Sequence, residues 1–222
     1  MIWLLACRPA PIERPNASLL DTAAWEGQNT NDYDPYEDGE ERLSLGIFYE
    51  GDFSEEIPVD DQVSVFNVWV VEGTDIPTFS TAPSADAVEG LVSNQIMASD
   101  AGWFGGGIAW TEAKDLSKWD TLHISARSEE EALANFQIGM GGQYAQGGSC
   151  TESGSRQNWR YLEDYGFVPD GEWHHLEIPV YDFTICLDIE AVSEPFNLLM
   201  APLSSEDAGK SIFLDKLFFT VD

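Results

Sequence analysis

From Leu43 onward, hydrophobic positions recur at every second residue. In Thr121-Leu-His-Ile-Ser-Ala-Arg127, Leu122, Ile124 and Ala126 alternate with His123, Ser125 and Arg127. Successive side chains of a strand point to opposite faces, so this segment predicts a strand with one face inward. Asn135–Met140 repeats the pattern, with Phe136, Ile138 and Met140 inward and Asn135 and Gln137 outward. Next, His174, Leu176, Ile178 and Val180 share one face, opposite His175 and Glu177. Ser211–Val221 predicts a long strand near the C-terminus, and Asn67–Val71 and Phe196–Met200 predict two more. Ser128–Ala134 is the helix-like stretch, and it is short. Clusters such as Val168-Pro-Asp-Gly171 and Ser204–Gly209 mark turns between strands. Short strands without crossover helices imply an all-β, antiparallel β-sandwich.

Residues 8–42 read differently. They carry no sustained period, and Pro9, Pro11, Pro15 and Pro35 interrupt any helix or ladder. Asn29–Glu41 is acidic and turn-rich, with too little apolar surface to offset the entropy of ordering. This segment is expected to be a disordered tether. Its Asp32, Asp34, Glu37 and Asp38 lack the spacing of an EF-hand loop. Residues 1–7 end in Leu4-Leu-Ala-Cys7, which resembles a bacterial lipobox and implies lipidation of Cys7. A full export signal has a basic start and a longer apolar run, so the true start is expected upstream. The expected organisation is an export segment at 1–7, a tether at 8–42 and a β-sandwich at 43–222.

Charge narrows the partners. Forty acids against ten bases give a formal net charge of −30. Such a field repels nucleic-acid phosphates and anionic lipid headgroups, so neither is an expected partner. No stretch reaches the ~18 apolar residues that a membrane span requires. Membrane contact is therefore expected only through the lipid anchor, which places the protein outside the cell, at the outer membrane or cell surface. With Cys7 assigned to the anchor, Cys150 and Cys186 form an even pair, expected as a disulfide in an exported protein. Two free thiols are the alternative reading.

Three segments carry a resemblance. They are Ala101-Gly-Trp-Phe-Gly-Gly-Gly-Ile-Ala-Trp110 with Lys114–Leu122, then Asp170-Gly-Glu-Trp-His-His-Leu-Glu-Ile-Pro179, then Ile212–Phe219. In that order and spacing they resemble the galactose-binding-like jelly rolls found among carbohydrate-binding modules. The resemblance covers residues 43–222 and implies a jelly-roll sandwich and a glycan ligand. It also implies a structural calcium (Ca2+) between the first and last strands, with Glu50 and Asp215 as acidic ligands. The alternation places Asp215 on one face with Phe213, Leu217, Phe219 and Val221, where a lone carboxylate would be costly to bury.

The residues themselves suggest where a glycan would sit. Gly105, Gly106 and Gly107 remove side chains from three successive strand positions, which marks close approach by another group. Trp103 and Trp110 flank that gap, while Trp119 and Trp173 read as core. Sugars pack flat C–H faces on aromatic rings and need polar side chains for their hydroxyls. Arg127, Gln137 and His123 stand on polar strand faces. The irregular segment Gly141–Tyr165 adds Tyr144, Trp159, Tyr161 and Tyr165 among amides and two arginines, a composition that suits a polar or acidic glycan. The expected glycan-binding residues are Trp103, Arg127, Gln137, Tyr144 and Trp159. No zinc-protease, serine-elbow or phosphate-loop motif is present. Glycoside hydrolysis needs only two carboxylates, so it stays the third reading. It ranks behind non-catalytic glycan binding and behind a structural or protein-interaction sandwich at the cell surface. An exposed aromatic groove favours the first of these, and a flat acidic face the second.

Overall fold

The computed structural model describes residues 42–44, 67–88, 92–110, 112–144, 157–185 and 187–221. These carry eleven strands: β1 (Arg42–Ser44), β2 (Asn67–Val68), β3 (Phe79–Ser84), β4 (Ser93–Ala98), β5 (Phe104–Ile108), β6 (Thr121–Arg127), β7 (Gln137–Tyr144), β8 (Gln157–Tyr161), β9 (His174–Pro179), β10 (Leu187–Met200) and β11 (Ser211–Thr220). Among the described residues there is no α-helix, and no helix long and apolar enough to cross a membrane.

Two antiparallel sheets form. The first runs β3-β4-β11-β6-β9, with β1 beside the second half of β11; the second runs β2-β5-β10-β7-β8. The pairs β4/β11, β5/β10, β6/β9 and β7/β8 are nested, as in one long hairpin with its tip between β7 and β8. Rolling that ribbon brings β11 against β6 and β10 against β7, which closes the two sheets. This is the jelly-roll winding, and β2 and β3 extend one end of each sheet. Between the sheets lies a single core that includes Phe104, Trp119, Phe136, Ile138, Phe183, Phe196 and Phe219.

The alternating segments of β6 and β9 fold as expected, and the C-terminal strand forms as β11. β7 begins at Gln137 rather than Asn135, because Phe136 N–H instead donates to Leu133 O (3.1 Å) at the end of a single 3-10 turn, Glu131–Leu133. That turn replaces the expected helix. Asn67–Val71 is a strand only over its first two residues, since the chain then turns back so that Val71 N–H donates to Ile76 O. β10 extends well before Phe196, from Leu187, where Leu187, Ile189 and Ala191 alternate with Asp188 and Glu190, a strand signal absent from the expected set. β1 starts at Arg42, one residue inside the expected tether. Trp119 is core, but Trp173 is half-buried at the surface, its Nε1–H donating to Asp86 Oδ1 (3.2 Å).

β11 corrects the placement of Asp215. Asp215 pairs with Ser125, yet Phe218 pairs with His123, so β11 carries one extra residue against β6. Lys216 is that residue, with φ of 51°. The bulge turns Leu217 and Phe219 to the core, while Asp215 keeps the outer side with Ser125. Asp215 is fully buried there. Its Oδ2 accepts Val88 N–H and its Oδ1 accepts Lys216 N–H, both at 2.8 Å. Two backbone donors stabilise the charged form, so its burial does not by itself call for a cation.

Candidate functional site

The outer face of the second sheet gathers most of the aromatic and amide groups singled out above. Paired residues in antiparallel strands share a face, so the registers define two rows across it. One row holds Trp69, Gly105, Leu199, Gln137 and Tyr161; Trp69 joins it through its N–H, which donates to Gly105 O (2.9 Å). The other holds Gly107, Asn197, Gly139 and Trp159. β5 and β7 thus supply bare glycine backbone on both sides of β10.

Glycine is required here because indole rings occupy the vacated space. A Cβ on Gly105 would stand 2.8 Å from Trp69 Cζ3 and 3.1 Å from Trp103 Cζ3. On Gly139 it would stand 2.9 Å from Trp159 Cε3 and 2.5 Å from Asn158 O. The rings therefore lie against the strands rather than standing off them. Trp69 and Trp159 start from opposite edges of the sheet and meet above it, with centroids 6.2 Å apart at 85°. Trp103 is tilted against Trp69 at 6.4 Å and 45°. All three tryptophans are half-buried, and Tyr161 is 39% exposed beside them.

Polar groups complete the face. Gln137 is half-buried within the first row. Asn197 is buried above Gly107, and its Nδ2 donates to Glu194 Oε2 (2.8 Å). The edge strand β8 is held from beneath: Asn158 Nδ2 donates to Phe183 O (2.5 Å), and Arg160 donates to Asp182 O and to Trp159 O (2.7 Å). Tyr165 Oη donates to Asp182 Oδ2 (2.6 Å) and fixes the same turn. Flat rings beside amides and one carboxylate suit a ligand with apolar faces and hydroxyl edges.

Of the expected binding residues, Trp103, Gln137 and Trp159 come together. Arg127 does not, because it lies on the outer face of the other sheet. Its guanidinium is engaged there by Asp86, Glu129 Oε1 (3.1 Å) and Gly171 O, over the Phe213 ring. His123 shares that other sheet. Tyr144 ends β7, with its side chain outside the described residues. Trp110 is core, and the segment expected to be an irregular loop contains the end of β7 and all of β8. Sequence reasoning missed Trp69, Asn197 and Glu194, and it noted Tyr161 without placing it among the binding residues. The parity of Asn67 and Trp69 was visible, but their neighbours across the sheet were not. Cys7, Glu50, Cys150 and Cys186 lie outside the described residues.

No protein-family model matches the chain, and no curated protein matches it. Solved structures of similar strand arrangement include the family 11 carbohydrate-binding module of a cellulosomal cellulase of Clostridium thermocellum. It is 14% identical, with a TM-score of 0.49, over 71% of this chain and 88% of that one. The family 30 carbohydrate-binding module of another cellulosomal cellulase of that organism matches at 14% identity and a TM-score of 0.49, over 70% and 87%. A xylan-binding domain from Paenibacillus barcinonensis matches at 14% identity and a TM-score of 0.41, over 71% and 94%.

Proposed function

We propose that this sandwich is a non-catalytic glycan-binding domain and that it binds through the outer face of the second sheet. The observation that carries the reading is the indole platform: Trp69, Trp103 and Trp159 lie across glycine backbone from both edges of one sheet. Their free faces would stack on pyranose rings, while Gln137, Glu194, Asn197 and Tyr161 would serve the hydroxyls. A polysaccharide suits this arrangement, because the rings and amides are spread across the sheet from the β2 edge to β8.

The test is calorimetry of the full chain against a panel of soluble polysaccharides. Loss of one stacking ring should weaken binding by about 1–3 kcal/mol, so Trp159→Ala and Trp103→Ala should each lose affinity. Arg127→Ala, on the opposite sheet, should bind as the wild type does. Unchanged binding in both tryptophan variants would remove the platform from the site. Release of reducing ends from any bound polysaccharide would favour a hydrolase instead.

Two further features belong to the same proposal. Export with lipid attachment at Cys7 would place the face at the cell surface; palmitate labelling that persists in Cys7→Ser would contradict it. A structural calcium held by Glu50 and Asp215 would raise the unfolding temperature by mass-action linkage. An equal midpoint with and without chelator would exclude it.

A further inference from the structure

β6 and β9 assemble a second set of chemically capable side chains on the outer face of the first sheet, away from the tryptophans. His123 and Glu177 are cross-strand partners, and His175 stands diagonally from His123, opposite Ser125. Among the described residues these three form a group whose ligating atoms all lie within 4.8 Å of one another. His123 Nδ1 and His175 Nε2 are 3.1 Å apart. Two nitrogens bound at ~2.0–2.1 Å to one tetrahedral zinc stand about 3.3 Å apart, so this pair already has nearly the required spacing.

The outward nitrogens fit the same reading. His123 Nε2 is 2.9 Å from Thr220 Oγ1, and His175 Nδ1 is 3.3 Å from Ser125 Oγ. A metal-bound imidazole usually donates its other N–H to an oxygen, which fixes the tautomer and the ring. In the tautomers whose outward N–H groups donate to these hydroxyls, the two inward nitrogens can both turn their lone pairs to one cation; otherwise they share a proton. The His123 ring is held in place by stacking on Phe218, at 4.6 Å and 10°, and it has no exposed surface.

Electrostatics agrees on balance. A zinc ion takes the neutral imidazole, and both rings already have an oxygen neighbour for the nitrogen that would keep its proton. Lys216 opposes a cation, but the carboxylates of Asp215 and Glu177 carry the greater opposite charge. Two imidazoles and one carboxylate suit zinc, whereas calcium takes oxygen ligands.

We infer that His123 Nδ1, His175 Nε2 and a carboxylate oxygen of Glu177 form a divalent transition-metal site of the zinc type, with a fourth position left for water. The site is independent of glycan binding and lies on the opposite sheet.

The full chain, stripped with chelator, is titrated with Zn2+ alone by calorimetry and with Co2+ alone by visible absorbance. The expected result is one saturable site, with the intense absorption of tetrahedral cobalt. His175→Gln and Glu177→Gln alter half-buried and exposed positions, so both should fold, as circular dichroism will check. Each should weaken binding at least tenfold. His174→Gln, on the opposite strand face, should bind as the wild type does. Wild-type affinity in folded Glu177→Gln or His175→Gln, an equal loss in His174→Gln, or only weak binding spread over many sites would overturn the assignment.

Discussion

At the scale of single residues, the absence of a side chain does as much as its presence. Gly105 and Gly139 matter because each vacates the volume that an indole fills. At Gly139 the constraint is strict: an added Cβ would meet a backbone oxygen, Asn158 O, at 2.5 Å as well as the Trp159 ring. Backbone cannot rotate away as a side-chain tip can. Gly139→Ala should therefore cost about 1–3 kcal/mol through overpacking, read as a lower midpoint in chemical denaturation. It should also lift Trp159 and weaken glycan binding. A variant with wild-type stability and affinity would show that the ring does not rest on this strand. Asp215 teaches the complementary lesson. A carboxylate in an apolar strand looked like an unmet charge, yet two backbone N–H groups receive it once the bulge at Lys216 has re-aimed the chain.

At the scale of elements, β8 shows why a strand was read as a loop. Gln157–Tyr161 is an edge strand with no clean alternation, since Asn158 and Arg160 turn toward the inner side and bind carbonyls there. These bonds join β8 to the single 3-10 turn Val180–Phe183 and so hold the strand that carries Trp159. Arg160→Ala should remove donors to Trp159 O and Asp182 O and destabilise the domain by about 1–3 kcal/mol. Hydrogen exchange should quicken in β8 before it does in β10 or β6, and glycan affinity should fall as Trp159 loses its fixed position. Uniform exchange across all strands would mean that β8 does not depend on this clamp. β10 makes the converse point. Its first half does alternate, with Leu187, Ile189 and Ala191 against Asp188 and Glu190, but it pairs with β7 only through a series of register shifts.

At the scale of the whole molecule, the charge of −30 acts on stability more than on recognition. Self-repulsion of that size favours expansion, and salt screens it over about 10 Å at 0.1 M. The thermal midpoint should therefore rise by several degrees between ~0.02 and ~0.5 M sodium chloride. Affinity for a neutral polysaccharide should change little over the same range, because stacking and neutral hydrogen bonds are weakly screened. A midpoint independent of salt would show that the acids are spaced too widely to repel. The same charge disfavours polyanionic glycans, whose approach would be opposed until salt is added.

The sequence by itself determined the all-β class, the inward faces of β6 and β9, and the glycine gap beside Trp103. All of these follow from local rules: a period of two, and the steric meaning of glycine within a strand. The tertiary structure decided which strands became neighbours. Arg127 and Gln137 both read as outward polar residues on successive strands, but jelly-roll winding sends β6 and β7 to different sheets and so separates them. Trp69 and Trp159, ninety positions apart, meet because β2 and β8 flank the same sheet and the glycines between them leave room. The pairing of His123 with His175 has the same origin. Alternation fixes the face on which each residue stands, whereas the hydrogen-bonded partner of a strand is chosen by non-local packing that no single segment encodes.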